Sequence, residues 1–302
     1  MSSSRANRRG MFALAGAMAA FAVNDMLLKL IAQRYPLGEV ITVRGLIATV
    51  LVGAFLVGFG HMYALRAALK APVLGRTALD GAAMIMFTSA LVHMPLAELS
   101  AINLVSPLII TALAVIFFAE EVGWRRWSAI VVGFIGTLFI VKPTAGNFNA
   151  WALVGMACAF AGASRDVVTR RLDTRIPSLV ISFMAAAGSC LIGLVLWFFE
   201  DWRPMALFDV GMLAVSAAFV SIGHLLIVIA FRGVDVAGIA PFRYTLLIWA
   251  GICGYFAFGE VPDRFAIFGS ALIVGSGLYA LHREVVRRRT LAADVPPAEP
   301  GA

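Results

Sequence analysis

The chain has 302 residues, 61% of them hydrophobic and only 14% charged, and its mean hydropathy is +0.92. A water-soluble domain is nearer half apolar and a quarter charged, so this composition excludes a soluble enzyme or binding module and points to an all-α polytopic membrane protein. The formal charge of +7 is read as a topology signal and not as affinity for nucleic acid, because basic residues of membrane proteins collect on the cytoplasmic side.

The short basic stretch 1–10 leads directly into an apolar run, 11–32, that is too long for a signal-peptide core and lacks a clear cleavage site. It is read as a cytoplasmic N-terminus followed by a retained first span. Nine further runs follow at 38–60, 73–93, 97–118, 127–142, 150–170, 178–199, 209–231, 236–258 and 265–282, each near the ~20 residues that cross a bilayer as a helix. Gly, Pro or charged residues mark most of the connections, as at Tyr35-Pro36-Leu37-Gly38 and Lys142-Pro143-Thr144-Ala145-Gly146. Residues 283–302 read as a cytoplasmic basic tail that is disordered from Leu291, where prolines accumulate without apolar periodicity. Cys158, Cys190 and Cys253 all lie inside apolar runs, without metal-ligand spacing, and read as small hydrophobes.

With the N-terminus inside, sixteen Lys and Arg fall on cytoplasmic segments and four, Arg34, Lys142, Arg203 and Arg264, on external ones. Lys29, Arg44, Arg165 and Arg243 fall within spans. This bias predicts both termini in the cytoplasm. Moving one span would invert every later loop, so the same distribution supports ten spans.

The chain also repeats itself. Asp25, Lys29, Arg34 and Pro36 recur as Asp166, Arg170, Arg175 and Pro177, shifted by 141; Glu121-Val122 recurs as Glu260-Val261, shifted by 139. Residues 11–142 and 150–282 therefore read as two copies of a five-helix unit. Five is odd, so the second copy is inverted in the membrane, and such repeats carry a substrate site between them near the midplane.

At this point the sequence resembles the EamA type of the drug/metabolite transporter superfamily. The resemblance spans about residues 11–282 and is carried by Phe21-Ala22-Val23-Asn24-Asp25 with Lys29, by Arg44, by the Pro107 helix leading to Glu121, and by the helix ending at Glu260. The opening run with a later Arg is similar to bacterial members assigned to riboflavin or S-adenosylmethionine uptake; other members export amino acids and related metabolites. The family implies a central cavity, the inner membrane of a bacterium, no covalent cofactor and no ATP hydrolysis. The chain carries no phosphate-binding Gly-x4-Gly-Lys-Ser/Thr loop.

Intramembrane charges are costly and mark function by default. Asn24, Asp25 and Lys29 in the first span and Arg44 in the second form one candidate gate or anion clamp, with Asp25 and Lys29 four residues apart on one helical face. The structural alternative is a neutralised pair that fixes helix packing. Arg165 and Asp166, with Arg243, form the matching cluster at the opposite depth; snorkelling to the surface is the competing role of either arginine. Ser100, Asn103, Ser106 and Thr111 lie along one face of the fourth span, where Pro107 frees a backbone carbonyl. Thr245 and Trp249 with Tyr244 give the ninth span an aromatic face suited to a flat substrate, or to lipid. His224 and Asp25 are candidate proton carriers.

These features favour a secondary transporter working by alternating access on a small polar metabolite. A membrane-embedded lipid enzyme would need a nucleophile–base or metal constellation that the sequence does not offer. Counting span charges leaves a small positive excess, which disfavours the cationic S-adenosylmethionine and favours a neutral or anionic, flat aromatic ligand, with riboflavin first. Oligomeric state has no signature in the sequence.

Overall fold

A computed structural model describes residues 2–118, 123–142, 149–169, 171–173, 175–231 and 239–293. Ten apolar helices make up the fold: α1 (Ser2–Ala32), α2 (Leu37–Gly58), α3 (Ala71–His93), α4 in two pieces, α4a (Leu96–Asn103) and α4b (Ser106–Phe118), α5 (Trp124–Val141), α6 (Ala150–Thr169), α7 (Ser178–Leu196), α8 (Leu207–Phe231), α9 (Thr245–Phe258) and α10 (Arg264–Ala293). Eight of these spans are long and apolar enough to cross a bilayer on length and composition alone. The other two are α3, which carries Arg76 and Asp80, and α9, which is entered through a 3-10 turn at Ala240–Tyr244.

The helices pair across the two halves. α1 packs on α8 and α3 on α6, α2 packs on α7 and α5 on α10, and α9 meets both α1 and α4a while α4 meets α6. Each contact has a counterpart with the halves exchanged, which is the pattern a two-fold relation between inverted repeats produces. α4 is the most buried span and α7 the least. The surface carries large apolar side chains such as Phe55, Phe134, Leu191 and Phe256, an apolar exterior that suits lipid and not water.

Small residues bring helix axes together, as expected where lipid removes the hydrophobic drive for association. A Cβ on Gly136 of α5 would lie 2.7 Å from the carbonyl oxygen of Gly269 in α10, and one on Gly45 of α2 would lie 2.7 Å from the amide nitrogen of Cys190 in α7.

The central helix of the first half is broken, and that of the second half is entered through a 3-10 turn. Pro107 has no N–H for the carbonyl of Asn103, and the chain crosses Leu104-Val105 as a turn between α4a and α4b. In the second half Pro241 lies in the 3-10 turn that precedes α9. Gly259, at φ 66°, ends α9 in the left-handed conformation, its amide bonded to Tyr255 and that of Glu260 to Gly254. This reversal turns the Glu260 side chain back toward α1.

Helix limits differ from the expected ones chiefly at the termini. α1 begins at Ser2, inside the expected N-terminal segment, and α10 runs to Ala293 through the expected tail. Good helix formers between Leu281 and Ala293 outweigh the loss of apolar character, and the first proline comes only at 296. Residues 294–302, with all three of that tail's prolines, lie outside the described residues, as do Glu121 and Arg170.

Candidate substrate site

A cavity of ≈ 460 Å³ opens among α2, α3, α4, α6, α7, α8 and the start of α9. Its polar lining comprises Arg44, Asp80, Asn103, Ser106, Arg165, Asp166, Ser189, His224 and Arg243; the rest is small or apolar, including Ala83, Gly162, Ala217 and Phe87. The α4 break supplies Asn103, Leu104 and Ser106 to one wall, and the 3-10 turn before α9 supplies Arg243. Each half thus delivers polar groups from its discontinuous helix.

Behind Arg44 lies a buried hydrogen-bonded chain. Ser216 Oγ donates to Asn24 Oδ1 at 2.8 Å, Arg44 Nη2 donates to the same oxygen at 3.2 Å, and Asn24 Nδ2 donates to Asp25 Oδ1 at 2.8 Å. Asn24 therefore sets the pose of Arg44 and couples it to the Asp25 carboxylate. The other guanidinium nitrogen, Nη1, lies 3.4 Å from Met84 Sδ. Arg44 touches no carboxylate directly, so part of its hydrogen-bonding capacity is available to the cavity.

Across the cavity, Arg165 Nη1 donates to Asp80 Oδ1 at 2.7 Å and its Nε to Asp166 Oδ1 at 2.9 Å. Arg76, one turn earlier in α3, lies 3.8 Å from Asp80. Arg243 makes no hydrogen bond or ion pair among the described residues and lines the cavity as an uncommitted cation. His224 Nδ1 lies 2.7 Å from the Val220 carbonyl, which accepts only, so Nδ1 carries a hydrogen. The ring meets Phe21 edge-on at 5.2 Å.

Three expected site residues stand elsewhere. Lys29, only 3% exposed, does not pair with Asp25. Its ammonium bonds Glu260 and the carbonyl of Met94 (2.8 Å) and sits 4.8 Å from the centre of the Phe258 ring. The second oxygen of Glu260 accepts the amide of Leu96 at 2.7 Å, which caps α4a. Glu260 thus ties α9, α1 and α4a together, because Gly259 reverses the chain there. Tyr244 is buried toward α10, its hydroxyl against Gly277, and is absent from the cavity lining. Trp249 lies on the exposed side of α9 and is also absent from the lining. α9 is rotated about its entry turn so that Arg243, not the aromatic face, meets the cavity.

The residue that sequence reasoning missed is Asp80. Its signal was available: a carboxylate inside the run 73–93, with Arg76 one turn before it. Intramembrane charge is the same criterion that singled out Asp25.

Paired inverted repeats with broken helices around a charged central cavity define a multi-span membrane transporter. The chain belongs to the EamA-like transporter family, whose description matches residues 8–142 and again residues 149–281. Those two matches are offset from each other as the Asp25/Asp166 and Glu121/Glu260 series are. Among its relatives are the S-adenosylmethionine uptake transporter of Rickettsia prowazekii, 27% identical over 87% of this chain and 88% of that protein, and the pseudopaline exporter CntI of Pseudomonas aeruginosa, 26% identical over 84% and 89%. The riboflavin transporter of Brucella anthropi is 28% identical over 71% and 78%. One solved structure, 21% identical, superposes with a TM-score of 0.56 over 94% of this chain and 97% of that one, which shows the shared fold.

Proposed function

We propose that this transporter carries a small metabolite with an amino-acid head group and charges of both signs, and that S-adenosylmethionine is the first specific candidate. The observation that carries the reading is Asp80 in the cavity wall. The positive excess inferred from span charges came partly from Lys29, which Glu260 neutralises outside the cavity. The cavity lining holds three basic groups, Arg44, Arg165 and Arg243, and two carboxylates, Asp80 and Asp166; Asp25 stands behind the wall, coupled to Arg44 through Asn24. A site that presents both signs suits a ligand that brings both. Arg243 and Arg44 are placed for a carboxylate, and Asp80 and Asp166 for an ammonium or sulfonium group. A volume of ≈ 460 Å³ falls within the ~300–1,000 Å³ of small-molecule sites.

Riboflavin remains the second reading, supported by its named relatives and by Phe87 in the lining. It loses the two arguments that favoured it, the positive excess and the aromatic face of α9. Alternating access would work through the Lys29–Glu260 junction at one depth and the Arg165–Asp80 junction at the other. His224 or Asp25 would take the proton if transport is proton-coupled. The Lys and Arg distribution supports an inner-membrane protein with both termini cytoplasmic.

The test is uptake or counterflow of labelled S-adenosylmethionine in proteoliposomes, run beside growth rescue of a riboflavin auxotroph. The expected result is saturable S-adenosylmethionine flux, lost in Asp80→Asn, and no rescue. Rescue at micromolar vitamin without S-adenosylmethionine flux would overturn the proposal in favour of riboflavin. Silence in both, from protein that is folded in the membrane, would reject both substrates.

A further inference from the structure

A second, larger cavity of ≈ 690 Å³ lies away from the substrate site, among the start of α4a, the end of α5, Asn149 before α6 and the start of α10. Its wall is apolar, with Ile135, Leu138, Phe139 and Phe265, and its rim holds Glu98, Lys142 and Asp263. Ile135, Leu138 and Phe265 are 42%, 53% and 47% exposed on the outer surface of α5 and α10, so the cavity opens sideways toward lipid. Lys142 caps the C-terminus of α5, and Asp263 directly precedes α10. The polar rim is therefore at the level of helix ends, where headgroups lie, and the apolar wall runs from it into the span.

Glu98 is the unexplained group. It is 7% exposed, has no hydrogen-bond or ion-pair partner among the described residues, and lines this cavity. Lys142, the nearest basic group of the rim, is engaged by Asp263. A buried carboxyl without a hydrogen-bond partner is costly, so the rim holds one acidic group open to a cationic N–H donor, beside an apolar groove. We propose that this cavity is a binding site for one aminophospholipid, with the primary ammonium of a phosphatidylethanolamine on Glu98, its phosphate beside Lys142, and an acyl chain along Ile135, Leu138 and Phe265. Charge complementarity selects this occupant. An anionic lipid adds like charge at Glu98, and a choline headgroup has no N–H to donate.

Native mass spectrometry of the full-length protein, released from vesicles with equal phosphatidylethanolamine, phosphatidylcholine and phosphatidylglycerol, tests the assignment without any transport substrate. One phosphatidylethanolamine should be retained in preference to the other two. Glu98→Gln should lower that retention by about tenfold, the loss of one hydrogen bond to a charged group. Ile135→Trp, at a position 42% exposed on the outer surface of α5, narrows the groove and should lower it too, so the test survives misfolding of the Glu98 variant. Equal retention of phosphatidylethanolamine and phosphatidylcholine, or wild-type retention in both variants, would overturn the proposal. So would full competition by chainless glycerophosphoethanolamine, which would show that the apolar wall is not used.

Discussion

At the scale of single residues, Lys29 and Asp25 show that spacing on one helical face does not decide which charges pair. Lys29 and Asp25 are one helical turn apart, yet the lysine is held by Glu260 and Met94 while the aspartate is coupled through Asn24 to Arg44. Removing one member of the buried Lys29–Glu260 pair leaves the other uncompensated. Lys29→Met or Glu260→Gln alone should lower thermal stability in detergent by about 3–5 kcal/mol, and the double variant by clearly less than the sum. Arg44→Ala should abolish transport with expression intact; wild-type uptake in that variant would make Arg44 structural. Outside the spans, the hydrogen bond from Lys142, with that from the Ala266 amide, holds the Asp263 carboxyl below its ordinary range. Because the folded-state value is the lower one, the stabilisation is complete above the unfolded carboxylate pKa of about 3.9 and is lost as pH falls through the folded value. Acid unfolding of Asp263→Asn should lack this component, and the difference should be small because the pair is partly exposed.

Among the helices, the informative features are interruptions and close crossings. Pro107 breaks α4 next to the cavity, and Pro241 lies in the 3-10 turn that leads into α9 there. Pro107→Ala restores a donor for the Asn103 carbonyl and should straighten α4, withdrawing Asn103 and Ser106 from the wall. Transport should fall while the protein remains folded, and uptake kinetics with a melting curve separate the two effects. The α5–α10 crossing rests on Gly136 against Gly269. Gly136→Val inserts carbon where backbone already stands and should destabilise by about 1–3 kcal/mol or more, read as a lowered melting temperature.

For the whole molecule, one charged junction, Arg165–Asp80, lies in the cavity wall and the other, Lys29–Glu260, lies outside it. Lys29–Glu260 gathers α1, α4a and α9, while Arg165–Asp80 gathers α3 and α6. Opening one while holding the other is the motion that alternating access requires. Charge reversal at Asp80, a member of the second junction, should therefore jam one face and leave the other accessible to cysteine labelling, and equal loss on both faces would indicate misfolding instead.

Fold class, ten spans and the internal repeat follow from local quantities, apolar run length and the order of charged residues, which the linear chain displays directly. The candidate cavity was half legible by the same means: Arg44, Asn103, Ser106, Arg165, Asp166, His224 and Arg243 line it because polar atoms in a lipid-facing sequence need somewhere polar to go. What only the tertiary structure decided is which charges meet. Glu260 is 231 residues from Lys29, and Asp80 is 85 from Arg165; no periodicity links such positions. The rotation of α9, which buries Tyr244 against Gly277 and presents Arg243 to the cavity, depends on packing against α10 and on the turn at Pro241. Those long-range contacts moved the reading from a neutral or anionic, flat ligand to one that carries both signs, since the charges a ligand meets belong to the groups that surround the cavity and not to the spans that carry them.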